Sequence, residues 1–255
     1  MSQPTGAKEK LVDITTHWID LAVADGTTMR AYVARPAGAP SHPGLLVFQE
    51  AFGVNAHIRD VTERFARQGY VAIAPELFHR SAGPGFEGDY NNFQAVMPHM
   101  SALAEAGMDA DCLAAMGWLQ SKEGAPGQPV ACVGYCMGGR VSFLANSRLP
   151  LRAAVSYYGG GIAPGPRGPG LLSRAPELHA PMLFFWGLLD QHIGIEQPRA
   201  VADALRDAGK VFTNVEFSAA DHAFFCDARG SYNANASAQA WSLTLEFLKL
   251  NLSAE

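Results

Sequence analysis

The stretch that decides the fold is Val-Ala-Cys-Val-Gly-Tyr-Cys-Met-Gly-Gly, which runs from Val130 to Gly139. Its first four residues predict a short buried strand, and the segment from Arg140 to Ser147 predicts a helix. Between them lies Gly-x-Cys-x-Gly, the nucleophile-elbow pattern with Cys136 where serine usually stands. Such a turn holds its nucleophile in a strained conformation, and the glycines let neighbouring backbone pass closely. The helix N-terminus then directs free N–H groups at the thiol, so Cys136 is the candidate nucleophile.

Four other short runs are as apolar as the strand before Cys136. They lie at 45–48, 71–74, 153–155 and 182–185. A strand that is apolar on both faces belongs in a parallel sheet covered by helices on each side. Nearer the N-terminus, two extended runs at 16–23 and 28–34 flank Asp25-Gly26, and this arrangement predicts an antiparallel hairpin.

Helical patterns alternate with these strands. Apolar residues recur at helical spacing in 58–65, 109–122, 201–208 and 241–252. The alternation predicts an α/β fold with a mostly parallel, doubly wound sheet and an N-terminal antiparallel hairpin. A chain of 255 residues is compatible with one such domain. We expect a single domain over 11–255, preceded by a flexible tail at 1–10.

Two segments rich in glycine and proline interrupt the alternation, at 81–92 and 159–170. We expect irregular loops there. Long loops in compact domains often carry function, but a plain surface connection fits each segment equally well.

Two further residue types complete a catalytic set. Asp190 follows the apolar run 182–185, and His222 follows the extended run 215–217. The order nucleophile, acid, base along the chain is the one that this kind of fold uses. A histidine takes and returns a proton near neutral pH, and a carboxylate orients the ring and stabilises the imidazolium. The sequence therefore predicts that Cys136, Asp190 and His222 act together.

Composition and charge exclude several other classes of protein. The net charge of −5, with no run of Lys or Arg, disfavours nucleic acid as a partner. No stretch is long and apolar enough to span a bilayer, and residues 1–10 do not resemble a signal peptide, so we expect a cytoplasmic protein. The four cysteines are expected to be free thiols in that compartment. Cys132 and Cys136 lack further ligands at zinc-site spacing, so we expect neither a metal nor another cofactor.

Several motifs together resemble the dienelactone hydrolase family. The resemblance rests on Gln-Glu-Ala-Phe-Gly-Val-Asn at 49–55, Ala-Pro-Glu-Leu-Phe at 74–78, Gly-Tyr-Cys-Met-Gly-Gly at 134–139, Trp-Gly-x-x-Asp at 186–190 and Asp-His-Ala-Phe-Phe at 221–225. It covers most of the chain from about Leu11 onward. It implies one α/β-hydrolase domain without a large lid.

The same resemblance implies roles for residues that the sequence pattern alone would not select. Glu50 matches a glutamate that lies beside the cysteine and helps to activate it when substrate enters. Ala51 and Met137 match the backbone donors of an oxyanion hole. Arg80 matches an arginine that holds the carboxylate of the substrate. The family's second arginine would lie four residues after the histidine, and here that position is Cys226.

The function implied is hydrolysis of a small lactone or carboxylic ester through an acyl-enzyme. Without a second arginine, a neutral ester or lactone is as compatible with the sequence as a carboxylated one. A broad carboxylesterase or thioesterase with the same triad remains an alternative, and so does a non-catalytic ligand-binding protein of the same fold. For all of these we expect a small-molecule ligand and a monomer or small homo-oligomer.

Overall fold

One eight-stranded sheet runs through the protein. The computed structural model describes residues 12–38, 42–165 and 168–253, so the predicted tail at 1–10 lies outside the described residues. In chain order the strands are β1 (Ile14–Ala22), β2 (Thr28–Pro36), β3 (Gly44–Phe48), β4 (Val71–Pro75), β5 (Val130–Tyr135), β6 (Ala153–Tyr157), β7 (Met182–Gly187) and β8 (Phe212–Phe217). Their order across the sheet is β1-β2-β4-β3-β5-β6-β7-β8.

The pairing pattern confirms the predicted mixed sheet. β1 pairs antiparallel with β2, and β2 pairs antiparallel with β4, whereas all the other neighbours are parallel. Every residue of β3, β4, β5, β6 and β7 is buried. This is why these strands are apolar at consecutive positions rather than at alternate ones.

The described ranges contain six α-helices, and five of them pack against strands of the sheet. They are α1 (Ala56–Arg67), α2 (Phe93–Ser101), α3 (Glu105–Gln120), α4 (Met137–Arg148), α5 (Glu196–Asp207) and α6 (Ala234–Leu252), and a 3-10 helix spans Leu172–Glu177. α1 and α6 meet through the rings of Phe65 and Trp241, with centroids 4.6 Å apart. α3 and α4 pack together and against the central strands. No helix within the described ranges has the length and apolarity that crossing a bilayer requires.

α1 shows how local sequence produces these helices. Asn55 caps its N-terminus by accepting a hydrogen bond from the N–H of Ile58 at 3.2 Å. The buried face carries Ile58, Val61 and Phe65, at the helical spacing read from the sequence. Arg64 and Arg67 lie in the last turn, where positive charge complements the helix dipole.

The main difference from the sequence prediction is α2, which we did not expect. Only Val96 of its nine residues is buried, and Pro98 lies inside it, so it lacks the apolar periodicity that reveals a helix. Val96 packs with Ala51 and Phe52 in a small apolar cluster separate from the main core. The loop before α2 is held by Glu76, whose two carboxylate oxygens accept from the N–H of Gly85 at 3.0 and 3.1 Å.

Candidate active site

Cys136 lies at the sharp turn between β5 and α4. It is the N-cap residue of α4 and has φ 54° and ψ −117°, a backbone conformation that residues other than glycine rarely adopt. Its N–H donates to the carbonyl oxygen of Tyr157 at 3.0 Å, which ties the turn to the end of β6. Cys136 is half-buried, whereas the other three cysteines are buried. All four thiols are free, as expected, and Cys136 is the most exposed of them.

The glycines around Cys136 permit this turn for a steric reason. A Cβ on Gly138 would overlap the carbonyl oxygen of Phe48 and lie 2.6 Å from that of Gln49. A Cβ on Gly134 would overlap the carbonyl oxygen of Gly138 and lie 2.7 Å from Ser142 Oγ. The first turn of α4 therefore rests directly on the end of β3, and only glycine allows that approach.

His222 connects Cys136 to Asp190. Its Nε2 lies 3.1 Å from Cys136 Sγ, and its Nδ1 lies 2.6 Å from Asp190 Oδ2. The other oxygen of Asp190 accepts from the N–H groups of His192 and Ile193 at 2.7 and 3.1 Å. The carboxylate is thereby fixed by the turn that follows β7. The structure brings together the three residues that the sequence selected from separate strand ends.

The charge on His222 is set by its two partners. Burial lowers the pKa of His222, but the interaction with Cys136 and the hydrogen bond to Asp190 outweigh burial and raise the pKa to about 10. The ring thus lies between sulfur on one side and a carboxylate on the other, an arrangement that favours its protonated form.

The two predicted oxyanion donors lie on contacting segments. Met137 is the first residue of α4, so its N–H has no acceptor within the helix. Ala51 is buried in the turn after β3, the same strand end against which Gly138 packs. Gln49 steadies this turn, because its Oε1 accepts from the N–H of Leu77 at 3.0 Å.

Glu50 is fully buried, and its contacts differ from those expected. Its Oε1 accepts a hydrogen bond from the hydroxyl of Tyr158 at 3.4 Å, while its Oε2 has no hydrogen-bond partner. Cys136 is not among its hydrogen-bond partners in the described structure. Instead, Glu50 lies with His57 and Cys226 in a group whose potential ligand atoms are within 4.8 Å of one another. Burial raises the pKa of the Cys226 thiol to about 11, with a further contribution from the charge of Glu50.

Sequence reasoning missed two residues of this region, Tyr158 and His57. Tyr158 has φ 40°, hydrogen-bonds to Glu50, and places its ring 5.2 Å from that of His222. Its position directly after β6, at the edge that carries Cys136 and Asp190, was the available signal. His57 stands in the first turn of α1, and no sequence motif distinguishes it from a surface histidine.

Arg80 is not brought together with the other predicted residues. Its guanidinium donates to both oxygens of Asp111 at 2.8 Å, to Asp25 at 2.7 Å and to the carbonyl oxygen of Gly107 at 3.4 Å. The hydrogen bonds to Asp111 and Asp25, together with the negative charges of these two carboxylates, raise the pKa of Arg80 despite its partial burial. The group is thus already engaged by two carboxylates of the protein.

Arg229 occupies a different position from Arg80. Its guanidinium lies over the rings of Phe52 and Tyr90, 5.4 and 5.5 Å from their centroids. Both rings lie near the turn that carries Glu50. Phe52 belongs to that turn, and the Tyr90 hydroxyl lies 3.5 Å from the sulfur of Cys226, which is close to Glu50. Arg229 therefore lies on the Glu50 side of the site.

Several known proteins are similar to this chain in sequence and in fold. The model of the dienelactone hydrolase family matches residues 29–252. A provisionally named carboxymethylenebutenolidase of Synechocystis sp. is 34% identical over 246 residues, covering 94% of this chain and 99% of the relative. An Escherichia coli protein of the same provisional name is 35% identical over 235 residues, covering 89% and 84%. The crystal structure of a provisionally named dienelactone hydrolase from Klebsiella pneumoniae gives a TM-score of 0.83 at 32% identity, covering 92% of this chain and 98% of that one.

The family model spans most of the chain and includes the elbow, the strand ends that carry Asp190 and His222, and the Glu50 turn. The resemblance read from the motifs is confirmed, and so is the α/β-hydrolase fold. This chain is therefore a hydrolase that belongs to the dienelactone hydrolase family.

Proposed function

We propose that the protein hydrolyses a small lactone or carboxylic ester, with Cys136 as nucleophile and an acyl-enzyme as intermediate. The observation that carries the proposal is the continuous chain from Cys136 Sγ through His222 to Asp190, with separations of 3.1 and 2.6 Å. A nucleophile, a proton carrier and an orienting carboxylate at hydrogen-bond distance are what acyl transfer requires.

The reaction would proceed in two halves. The thiolate of Cys136 attacks the ester carbonyl carbon, and the oxyanion that forms is stabilised by the N–H groups of Ala51 and Met137. The C–O bond then breaks, and the imidazolium of His222 gives its proton to the leaving alkoxide. Next, His222 takes a proton from water as the hydroxide adds to the thioester carbonyl. Release of the acid restores the thiolate–imidazolium pair, so the chain itself supplies every group and no cofactor is required.

Glu50 belongs to this proposal as a residue that influences activation of the cysteine. Its support here is positional, because Glu50 immediately precedes a proposed oxyanion donor. Glu50 and His222 also both contact Tyr158. Glu50 accepts a hydrogen bond from the Tyr158 hydroxyl, and the ring of His222 lies against the ring of Tyr158.

For the substrate, a neutral acyl group is favoured by the position of the arginines. Arg80 is engaged with Asp111 and Asp25, and buried Cys226 replaces the family's second arginine. A broad carboxylesterase or thioesterase activity is therefore the second candidate. Four free cysteines fit action in the cytoplasm, and we propose a monomer or small homo-oligomer there.

The test uses a nitrophenyl ester and mass spectrometry. We expect a burst of nitrophenol equal to the enzyme concentration, and an acyl adduct on Cys136 after rapid acid quench. Iodoacetamide should abolish turnover in proportion to carboxymethylation of Cys136. Turnover that survives complete alkylation of Cys136, or an adduct on another residue, would refute the proposed nucleophile.

A further inference from the structure

A side chain from near the end of the sequence meets two from the Glu50 turn and the start of α1. Glu50 follows β3, His57 lies in the first turn of α1, and Cys226 follows His222 by four residues. A carboxylate oxygen, an imidazole nitrogen and the sulfur lie within 4.8 Å of one another, and all three residues are buried. It is the one group of this kind among the described residues.

Three polar atoms of this group have no hydrogen-bond partner. Glu50 Oε2 and both ring nitrogens of His57 are buried without a hydrogen-bond partner. Leaving such atoms unpaired is unfavourable, and more so for a charged group. A ligand that binds the lone pairs of Glu50 and His57 would therefore be stabilised between them.

We propose that Glu50, His57 and Cys226 form a binding site for a divalent cation of the zinc class. Carboxylate oxygen, imidazole nitrogen and thiolate sulfur are all zinc ligands, whereas magnesium and calcium disfavour sulfur and nitrogen. In a tetrahedral zinc site these donors lie about 3.3–3.6 Å apart, so a contraction of roughly 1 Å closes the site. On binding, Cys226 releases its thiol proton to solvent.

The surroundings of His57 match those of a metal-bound histidine. Its Nδ1 points toward Asp227, whose Oδ1 is 4.0 Å away, too far for a hydrogen bond but on the correct side. Asp227 is in turn held by Arg64 at 3.1 Å. A carboxylate behind the imidazole orients the ring and favours ligation by the other nitrogen, Nε2. Next to Cys226, the Tyr90 hydroxyl or a water molecule would complete four-coordination.

The site is separate from the Cys136–His222 pair, yet it shares Glu50 with the proposed activation. A bound cation would neutralise and immobilise that carboxylate. We therefore expect zinc to lower the rate of ester hydrolysis, and this consequence alone rests on the proposed function. Metal binding itself does not depend on it.

The experiment has to distinguish this site from the catalytic pair, since a thiolate beside an imidazole also attracts zinc. We would use the full-length Cys136→Ala variant, under reducing conditions, and titrate it with Co²⁺ as a spectroscopic probe for zinc. We expect one equivalent to bind and to produce the near-ultraviolet charge-transfer band of a cobalt–thiolate bond. Added Zn²⁺ should displace the cobalt and bleach the band.

Variants on the Cys136→Ala background assign the ligands. Cys226→Ala should abolish the charge-transfer band, and His57→Ala should weaken binding by more than the 10–100-fold typical of a supporting residue. Asp227→Asn should weaken it by no more than that range. Cys132→Ala removes another buried free thiol and should leave binding unchanged. Circular dichroism establishes that each variant is folded.

Two results would overturn the proposal. One is the absence of stoichiometric binding by the folded Cys136→Ala variant while wild type binds, which would place the metal at Cys136 and His222. The other is a charge-transfer band that persists in the Cys226→Ala variant. A thermal-shift measurement provides a second readout: Zn²⁺ should raise the melting temperature of Cys136→Ala and not that of Cys136→Ala/Cys226→Ala.

Discussion

Backbone strain in this protein is concentrated at the residues of the candidate site. Among the described residues other than glycine, three have positive φ: Cys136, Tyr158 and Ala223. Cys136 is the proposed nucleophile, Tyr158 contacts both Glu50 and His222, and Ala223 follows His222 directly. Such conformations cost about 1–3 kcal/mol each and persist only where the surrounding structure enforces them. The three strained residues therefore all adjoin or contact His222.

Replacing Cys136 separates its chemical role from its strain. Both Cys136→Ala and Cys136→Gly should lose essentially all hydrolysis, because loss of a nucleophile typically costs several orders of magnitude in kcat. Cys136→Gly should also be more stable than Cys136→Ala, by up to about 1 kcal/mol, since glycine accepts φ 54° without strain. Ester hydrolysis and urea denaturation measure the two effects. A folded Cys136→Ala enzyme with more than about a tenth of wild-type kcat would exclude Cys136 as the nucleophile.

The raised pKa of His222 makes stability depend on pH in a defined direction. Because the folded-state pKa of about 10 exceeds the ordinary value of 6.5, the imidazolium stabilises the folded state. This contribution is complete below about pH 6.5 and is lost as the pH rises toward 10. Asp190→Asn and Cys136→Ala each remove one cause of the higher pKa. Between these pH values, the free energy of unfolding of wild type should therefore fall by at least about 1 kcal/mol more than that of either variant.

Denaturant titrations at both pH values check this expectation. Ionisation of lysines and tyrosines is common to the three proteins and cancels in the comparison. Parallel losses of stability in wild type and both variants would show that His222 does not hold its proton through these contacts.

At the scale of elements, the site depends on how closely α4 approaches β3. The elbow glycines allow the helix to start against the carbonyl groups of Phe48 and Gln49, so that Met137 and Ala51 lie on neighbouring backbone. The sheet is thus more than a support for the loops. Its carboxyl edge supplies Cys136 from β5, Asp190 from β7 and the Glu50 turn from β3.

A pair of glycine substitutions tests this contact. Gly138→Ala should be strongly destabilising and inactive, because its Cβ would overlap the carbonyl oxygen of Phe48, and backbone there cannot move without shifting α4. Gly117→Ala, in α3, has no atom within 4 Å of the new Cβ and should be neutral or more stable by up to about 1 kcal/mol. Melting temperature and ester hydrolysis report both effects. A Gly138→Ala enzyme with wild-type stability and kcat would contradict this packing.

At the scale of the whole molecule, ion pairs connect elements that are far apart in the sequence. Arg80 joins the turn of the N-terminal hairpin, at Asp25, to α3, at Asp111. Asp111 is fully buried, and His79 also lies 3.0 Å from its carboxylate. This network supports our proposal that residues 11–255 form one domain, since hairpin, sheet and helices share contacts throughout the described ranges.

Arg80→Ala should therefore lower stability by about 2–3 kcal/mol, because it leaves the Asp111 carboxylate buried with one partner fewer. It should change KM equally for neutral esters and for carboxylate-bearing lactones. Arg229→Ala serves as the comparison, since that guanidinium stacks on Phe52 and Tyr90 beside the site. A selective rise in KM for carboxylated substrates in Arg80→Ala, at unchanged stability, would restore the role that the family resemblance implies.

The sequence by itself determined the mixed sheet and the elbow, and it selected Cys136, Asp190 and His222 as candidates. Strands buried on both faces are apolar at consecutive positions, so β3 to β7 were readable from short runs alone. The Gly-x-Cys-x-Gly turn is equally local, because its steric requirement is met by residues within five positions of one another. Asp190 and His222 could be read because each follows a strand, and parallel strands end at the same edge.

Only the tertiary structure decided which polar groups face one another across the fold. α2 was missed because its stability comes from Val96 packing on Phe52 rather than from a periodic apolar face. Glu50, His57 and Cys226 are separated by up to 176 positions in sequence, and nothing local marks them as neighbours. Arg80 likewise stands in a sequence motif, yet its partners Asp25 and Asp111 come from remote elements. Ion pairs and ligand clusters form between side chains that chain folding brings together, so their partners become visible only when the packing is known.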